Sequence, residues 1–508
     1  MSKNGILFVI VMIILSAFFV IWRLGSKHPT PNVILISIDT LRADHLGCYG
    51  YERETSPHLD DLAGESVLFK NFFSPSSATK PSHVSMLTSL YPLSHGVLSN
   101  RVDRAYSEDI LSLAQILKTN GFMTAGFTGG GGVSEINGFR RGFDFWSEGH
   151  YIATHLPDVK DWILNNKDHK FFVFFHFYDV HDPYIFREDF QEFYRDIDFY
   201  KEFLSRAERK IDLDRVTFDA YNSLSAQEKI DSLVLRMLQR PAVNFEKGLG
   251  VIARNEVFQL IREWHSYPEY RKKLRMMVDS YDAGIKYTDH HLGHFFDFLK
   301  SCGLWENTLL IVTSDHGEEF MEHKMVGHLL NLYETLLHVP LILKMPRSQD
   351  LAGRQILGLA DIVDIMPTTL DVLRISFKGQ MQGQSLMPML KGTNTQTKRA
   401  VFASIDNRYN EEKRSVRTQS WKYIIFDGDL SEKDEFFDLN GDAFEQNNLL
   451  AENERDISKL QQYLIDHMRD CTGIYALRYS KNRKKASDFS EEAQKRHLEI
   501  MRALGYIH

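Results

Sequence analysis

The sequence predicts an α/β fold built on a doubly wound sheet, with a small C-terminal α+β subdomain behind it. Three observations carry this. Four apolar runs, NVILISI (32–38), FMTAGF (122–127), FFVFFHF (171–177) and NTLLIVTS (307–314), lack the polar alternation of a half-exposed strand and read as parallel strands buried on both faces. Helical patterns fall between these runs, the rhythm of an α/β sheet. From residue 375 onward the pattern changes to short strands joined by polar turns.

Taken in order, the chain opens with GILFVIVMIILSAFFVIW (5–22), 18 residues without a charge, flanked by Lys3, Arg23 and Lys27. At 1.5 Å per residue this spans roughly 27 Å, close to the hydrocarbon thickness of a bilayer. The bulky exit Trp22-Arg23-Leu24 is unlike a signal-peptide cleavage site, so residues 1–30 are expected to be an uncleaved membrane anchor and tether. Its flanking charges are too balanced to orient it. The expected location is membrane-anchored, with the remainder outside the cytoplasm. The first strand is followed by SPHLDDLAGE (56–65), a helix entered at Pro81 and running through Ser82–Leu90, and DILSLAQILKTNG (109–121), which stops on glycine. Residues 186–275 are charged, aromatic and mostly helical, and are expected to be an insertion lying over one sheet edge as a lid. YTDHHLGHFFDFLKSCG (287–303) again ends on glycine, leading to the strand at 307–314. TQSWKYIIFD (418–427) and EFFDLNGD (435–442) read as antiparallel strands. The domains expected are therefore 31–374 and 375–508.

Composition narrows the function. With 60 Lys+Arg against 68 Asp+Glu among 508 residues and no long basic tract, nucleic acid is excluded as a partner. Cys48, Cys302 and Cys471 are too far apart to form a disulfide framework or a metal knot.

The chemistry gathers where strands end. NVILISI runs into Asp39-Thr40, FFVFFHF into Tyr178-Asp179-Val180-His181, and NTLLIVTS into Asp315-His316. Carboxyl ends of parallel strands share one edge, where ligands bind. Carboxylates gathered there repel one another unless a cation joins them. Asp39, Asp315 and His316 supply two hard oxygens and one imidazole, favouring manganese or zinc, with calcium and magnesium as alternatives. In SSATKPSHVSMLTSLYP (76–92), Thr79 stands at the mouth of a helix, where its hydroxyl either caps the helix or is held beside an anion site.

PNVILISIDTLRADHLGCYGY (31–51), TKPSHVSMLTSLYPLSHGV (79–97), HDPY (181–184), TLLIVTSDHGEE (308–319), GHLLNLYETLLHVPLIL (327–343) and DIVDIMPTTLDVL (361–373) resemble, in order, the sulfatase family of the alkaline phosphatase superfamily. The resemblance implies a mixed sheet of that type and one divalent metal held by Asp39, Asp315 and His316. It also implies that His181 and His328 surround the substrate anion and that Asn100 adds an amide to the anion pocket, as in phosphonate monoester hydrolases. Departures are informative. Thr79 replaces the Cys or Ser that family sulfatases oxidise to formylglycine, a conversion its β-methyl blocks. Threonine is nonetheless the nucleophile in similar phosphoethanolamine and glycerol-phosphate transferases. Thr40 stands where a second Asp is frequent, His83 replaces an Arg, His328 a Lys, and TGGGG (128–132) a basic residue. His316, where many sulfatases have Asn, leans toward phosphatase-like members. Lys80 lies in the same neighbourhood as Thr79.

The expected function is thus a metal-dependent hydrolase of phosphate, phosphonate or sulfate esters acting through Thr79, which also ligates the metal, on a substrate with a glycan or lipid head group. The rivals are an envelope head-group transferase and a non-catalytic glycan-binding protein. His323, His338, Asp179 and Asp182 are weighed as lesser candidates; His290, His291 and His294 read as surface histidines. The GGGG run lacks nucleotide-loop spacing.

Overall fold

The computed structural model describes residues 30–100, 106–149, 151–210, 224–239, 261–392, 400–406, 412–427, 434–451 and 454–478. The expected membrane anchor lies outside the described residues. Among the described residues, no helix is long and apolar enough to cross a membrane.

In chain order the strands are β1 (Asn32–Ile38), β2 (Val67–Phe69), β3 (Phe72–Phe73), β4 (Met123–Thr128), β5 (Phe145–Glu148) and β6 (Phe171–Phe177). Then come β7 (Thr308–Thr313), β8 (Glu319–Phe320), β9 (Val326–Gly327), β10 (Leu341–Lys344), β11 (Arg354–Ile356) and β12 (Ala360–Asp361). The last four are β13 (Val401–Asp406), β14 (Glu412–Arg417), β15 (Trp421–Asp427) and β16 (Glu435–Asp438). The central sheet has eight strands in the order β11-β2-β10-β7-β1-β6-β4-β5. The four apolar runs of the sequence are its contiguous parallel centre, β7-β1-β6-β4. β10 runs antiparallel to β7 and β2, which makes the sheet mixed.

Both faces are covered, which is why these strands show no alternation. On β1, Ile34, Ile36 and Ile38 enter one apolar cluster and Val33 and Leu35 the other. The first cluster is shared with the helices Pro57–Gly64, Ile152–Asn166 and Tyr270–Ser301. The second is shared with the helices Thr79–Thr88, Leu113–Thr119 and Ile365–Val372. The Leu113 helix starts at a capping box, Ser112 with Gln115, four residues later than its pattern predicts.

The helices Ile197–Lys210 and Ala226–Gln239 fall in the predicted insertion. Phe203, Val234 and Leu235 join Met277 of the Tyr270–Ser301 helix and Trp264 in the first apolar cluster, so these two helices pack on that helix.

The four-stranded antiparallel sheet β13-β14-β15-β16 packs Val416, Tyr423 and Phe436 against Ile457, Leu460 and Leu464 of the Glu454–Arg478 helix. β13 grips the chain on either side of the Thr79 helix: Ser404 N–H donates to the Pro75 carbonyl at 2.9 Å and Asp406 N–H to that of Leu98 at 3.0 Å.

Candidate active site

Thr79 is the first residue of the Thr79–Thr88 helix, behind an N-cap at Ala78, and its hydroxyl makes no capping bond. Its Oγ lies 3.3 Å from His316 Nε2. Capping falls to Asn100, whose Oδ1 accepts the Lys80 N–H at 2.9 Å. The Asn100 Nδ2 donor is buried with no partner, beside a helix N-terminus that favours an anion.

Asp39 leaves the end of β1, and Asp315 and His316 that of β7, the strand beside it. One ligand atom from each lies within 4.8 Å of the others. The residues fit a divalent ion: Asp39 Oδ1 and Asp315 Oδ2 are fully buried without a hydrogen-bond partner. His316 donates Nδ1–H to the Gly317 carbonyl at 2.9 Å, which turns the Nε2 lone pair inward as a ligand requires. Burial, with Asp315 and Glu318 beside it, pushes the Asp39 carboxyl well above the usual range, the mark of negative charge lacking a counter-ion. Burial also pulls His316 down to about 4, with His328 adding to the effect. Thr40 makes no second ligand. Its backbone is left-handed (φ 58°) and its hydroxyl donates to the Asp39 carbonyl at 2.7 Å, while its N–H reaches Asp315 Oδ1 at 3.3 Å.

Two supporting residues, His176 and Glu318, were not singled out in the sequence, and a third, Gly132, belongs to the TGGGG run. His176, on β6 opposite Ser37 of β1, accepts the Gly129 N–H at Nδ1 (3.1 Å) and donates from Nε2 to Asp39 Oδ2 (3.1 Å). The signal was one imidazole inside an otherwise apolar strand. Gly132 closes on Thr79: a Cβ there would stand 3.1 Å from Thr79 Cγ2, so the TGGGG loop lies against the threonine methyl group. Glu318, fully buried, has its carboxyl pushed up to about 8 by burial and by Asp182.

His83, expected to bind substrate, is instead engaged by the protein. It donates Nδ1–H to the Thr79 carbonyl at 2.8 Å, and the Ser37 hydroxyl meets Nε2 at 2.9 Å. Both ring nitrogens are thus held by the protein, one of them at the Thr79 carbonyl. Lys80 is fully buried at the start of the same helix. His181 and His328 come together with ring centroids 4.9 Å apart, and His328 stacks toward His316 at 4.6 Å. His328 Nδ1 bonds Glu318 Oε1 at 2.9 Å, and burial lowers its pKa. Asp182 lies 3.1 Å from His181 Nδ1.

The remaining candidates have structural partners. Asp179 accepts the Ile152 N–H at 2.6 Å and so anchors the Ile152–Asn166 helix. His323 bonds Glu319 at 2.9 Å and stacks on Tyr333, and His338 bonds the Lys70 carbonyl at 2.8 Å. His290, His291 and His294 lie on the Tyr270–Ser301 helix, with His290 and His294 facing each other through Nε2 atoms 3.3 Å apart.

Comparison with known proteins places this arrangement. The sulfatase family profile matches residues 31–375, and that of the C-terminal part of N-sulphoglucosamine sulphohydrolase matches 322–472. An ulvan-active sulfatase of Formosa agariphila is 25% identical over 451 residues, covering 84% of this chain and 79% of that protein. An N-acetylglucosamine-6-O-sulfatase of Bacteroides thetaiotaomicron is 23% identical over 513 residues, covering 88% and 87%. Among solved structures, the phosphonate monoester hydrolase of Agrobacterium radiobacter shares the fold with a TM-score of 0.64 at 20% identity, over 88% of this chain and 96% of that one. A protein crystallised with D-glucosamine-2-N,6-O-disulfate shares it with a TM-score of 0.63 at 21% identity, over 88% and 98%. With the family motifs spanning the sheet and its strand-end triad, the chain belongs to the sulfatase family of ester hydrolases.

Proposed function

We propose that the protein is a metal-dependent hydrolase of anionic esters that uses Thr79 as its nucleophile and takes phosphorus esters ahead of sulfate esters. The observation that carries this is the placement of Thr79 Oγ, released from capping and 3.3 Å from a His316 nitrogen whose neighbouring carboxylate oxygens lack partners.

A divalent ion bound by Asp39, Asp315 and His316 would lower the pKa of the adjacent hydroxyl and offset charge on the ester. The chain's residues do the rest. His83 and Gly132 hold Thr79 in one orientation from two sides. Thr79 Oγ gives up its proton to solvent and forms a bond to phosphorus as the bond to the ester oxygen breaks. The Asn100 amide and the helix N-terminus hold the charge that builds on the non-bridging oxygens. His181 and His328 face the leaving oxygen, which takes up a proton. Water then attacks the threonyl ester, returning Thr79 and releasing phosphate. Formylglycine sheds sulfate by elimination from its hydrate, a route closed to threonine, so a threonyl phosphate turns over more readily than a threonyl sulfate. The relatives named as sulfatases favour a second reading, in which a sulfated saccharide is the substrate.

Paired aryl phosphate monoesters, diesters, phosphonates and sulfates, assayed with wild type and Thr79→Ala, test the proposal. Phosphorus esters should be cleaved fastest and lose about a thousandfold in kcat with Thr79→Ala, a barrier rise of about 4 kcal/mol. Sulfate cleavage that persists in Thr79→Ala overturns the assignment of the nucleophile. Adding an alcohol acceptor separates hydrolysis from transfer.

A further inference from the structure

Two surface histidines of the Tyr270–Ser301 helix meet a third from another helix. His290 and His294 stand about one turn apart, both exposed, with Nε2 atoms 3.3 Å from each other. Residues four apart share a helix face, whereas His291 points off that face and lies against Tyr287. Gly293 falls between them in the chain, and His58 fills the space where its side chain would be. A Cβ at 293 would stand 2.6 Å from the His58 ring and 2.7 Å from its Nδ1. Asp289 fixes His58 there by accepting its N–H at 3.1 Å and that of Leu59 at 2.8 Å, which holds the first turn of the Pro57–Gly64 helix against the longer one.

The spacing of the pair has the dimensions of a chelate. Two imidazole nitrogens on one tetrahedral zinc, each at about 2.0–2.1 Å, stand about 3.3–3.4 Å apart. As a hydrogen bond between two rings 3.3 Å is long, beyond the usual range of about 2.7–3.2 Å. Charge agrees with geometry. Burial, then His294 and His58, lower the pKa of His290, so its ring is neutral at neutral pH and offers a lone pair, while Asp189 of the insertion supplies an opposing negative charge. The exposed His58 has to turn about its side-chain bonds to ligate, because the three nitrogens do not lie within 4.8 Å of one another.

We propose that His290 and His294 chelate a zinc ion, with His58 as third ligand and water completing the shell, in a structural site separate from the Asp39–Asp315–His316 cluster. Imidazole ligands suit zinc over calcium or magnesium, and Ni²⁺ or Cu²⁺ would take the same pair. The ion ties the Pro57–Gly64 helix to the Tyr270–Ser301 helix. The latter carries Tyr281 about 13 Å back along its axis, whose hydroxyl donates to the Thr40 carbonyl at 2.7 Å and accepts the Arg42 N–H at 2.9 Å. The site thus steadies the helix beneath the Asp39 loop and touches no reacting atom.

The test is zinc calorimetry and thermal melting of the full chain, stripped with chelator, in an Asp39→Asn background that removes the strand-end site. This parent should bind one equivalent and melt higher with zinc. His290→Ala and His294→Ala, each added to it, should lower zinc affinity at least tenfold and abolish the zinc-dependent rise in Tm. His58→Ala should lower affinity several-fold, and His291→Ala should change neither. Equal Tm in chelator confirms that every variant is folded. With Cu²⁺, paramagnetic resonance counts the ligand nitrogens, which should fall by one in the first three variants. In the chain with Asp39 intact, the same three variants should keep full activity. No zinc binding in the parent, or unchanged affinity in His290→Ala and His294→Ala, overturns the proposal. Unchanged affinity and nitrogen count in His58→Ala overturns the place of His58 in the ligand set. Failure of the strand-end metal site shows differently: Asp39→Asn would bind as many ions as wild type, while the histidine effects persist.

Discussion

Two buried charged clusters in this protein look alike by residue type and differ in what balances them. At the junction between the central domain and the C-terminal sheet, Glu334 and Glu445 share the buried Lys422, at 3.1 and 2.8 Å, and Arg417 reaches Glu334 at 3.3 Å. Burial opposes ionisation of Glu334, yet Arg417 and Lys422 hold it down at about 2. At the strand ends, Asp39 and Asp315 have neighbouring histidines that burial keeps neutral, and each carboxylate keeps an oxygen with no partner. The junction holds cationic side chains, Lys422 and Arg417, against Glu334, although burial and Glu334 push Glu445 beside them up to about 7. The strand-end cluster holds only histidines that burial disfavours charging, a deficit of positive charge, and the proposed function places the reaction there.

The largest effects should come from removing the deficit. Asp39→Asn should lower kcat/KM by about a thousandfold or more, about 4 kcal/mol, through loss of the ion. In chelator the same variant should melt higher than wild type. A carboxyl whose folded pKa is raised costs stability at neutral pH, and asparagine removes that cost. A variant that loses activity and also melts lower without metal would show that Asp39 is a structural residue like Glu334.

The junction should behave in the opposite way. Lys422→Met leaves Glu334 and Glu445 buried without their shared cation and should cost about 3–5 kcal/mol in denaturant unfolding. Activity per folded molecule should fall little. Acid adds a sharper test. Because the folded pKa of Glu334 is depressed from 4.5 to about 2, its contribution is present above 4.5 and is lost as pH falls from there. The stability difference between wild type and Glu334→Gln, both in chelator, should therefore hold steady at neutral pH and shrink below 4.5. A difference that grows on acidification would mean that Arg417 and Lys422 do not hold the charge.

How much of this was legible in the sequence follows from the same physics. The four central strands were readable because burial on both faces demands unbroken apolar runs. The convergence of Asp39, Asp315 and His316 was readable because they follow such runs directly, at the one sheet edge where parallel strands end. The junction was not: Glu334 and Lys422 are 88 residues apart and nothing local pairs them. His176 was passed over because one imidazole in FFVFFHF does not break an apolar run. The start of the Leu113 helix was misjudged since Ile110 and Leu111 extend the apolar pattern past the Ser112 cap. The insertion's apolar residues say that it packs but not on which partner; the Tyr270–Ser301 helix beneath it could not be read from them.

The contrast extends from charge to volume, and here the expected effect is smallest. The junction is filled by long side chains, whereas the floor beneath Thr79 is a run of glycines. A Cβ at Gly132 would stand 3.1 Å from Thr79 Cγ2 and 3.2 Å from its Cβ, closer than ordinary packing allows. Gly132→Ala should therefore turn or displace Thr79 and lower kcat about tenfold, about 1.4 kcal/mol, with KM little changed. Thr79→Ser removes the nearer of the two contacts and keeps the hydroxyl. If the glycine is there to accommodate the threonine methyl, Gly132→Ala should cost less on the serine background than on wild type, and a double-mutant cycle measures the difference. Strict additivity would mean that the loop is bare for the substrate's sake and not the nucleophile's. The cycle thus separates a floor shaped around Thr79 from one shaped around what Thr79 attacks.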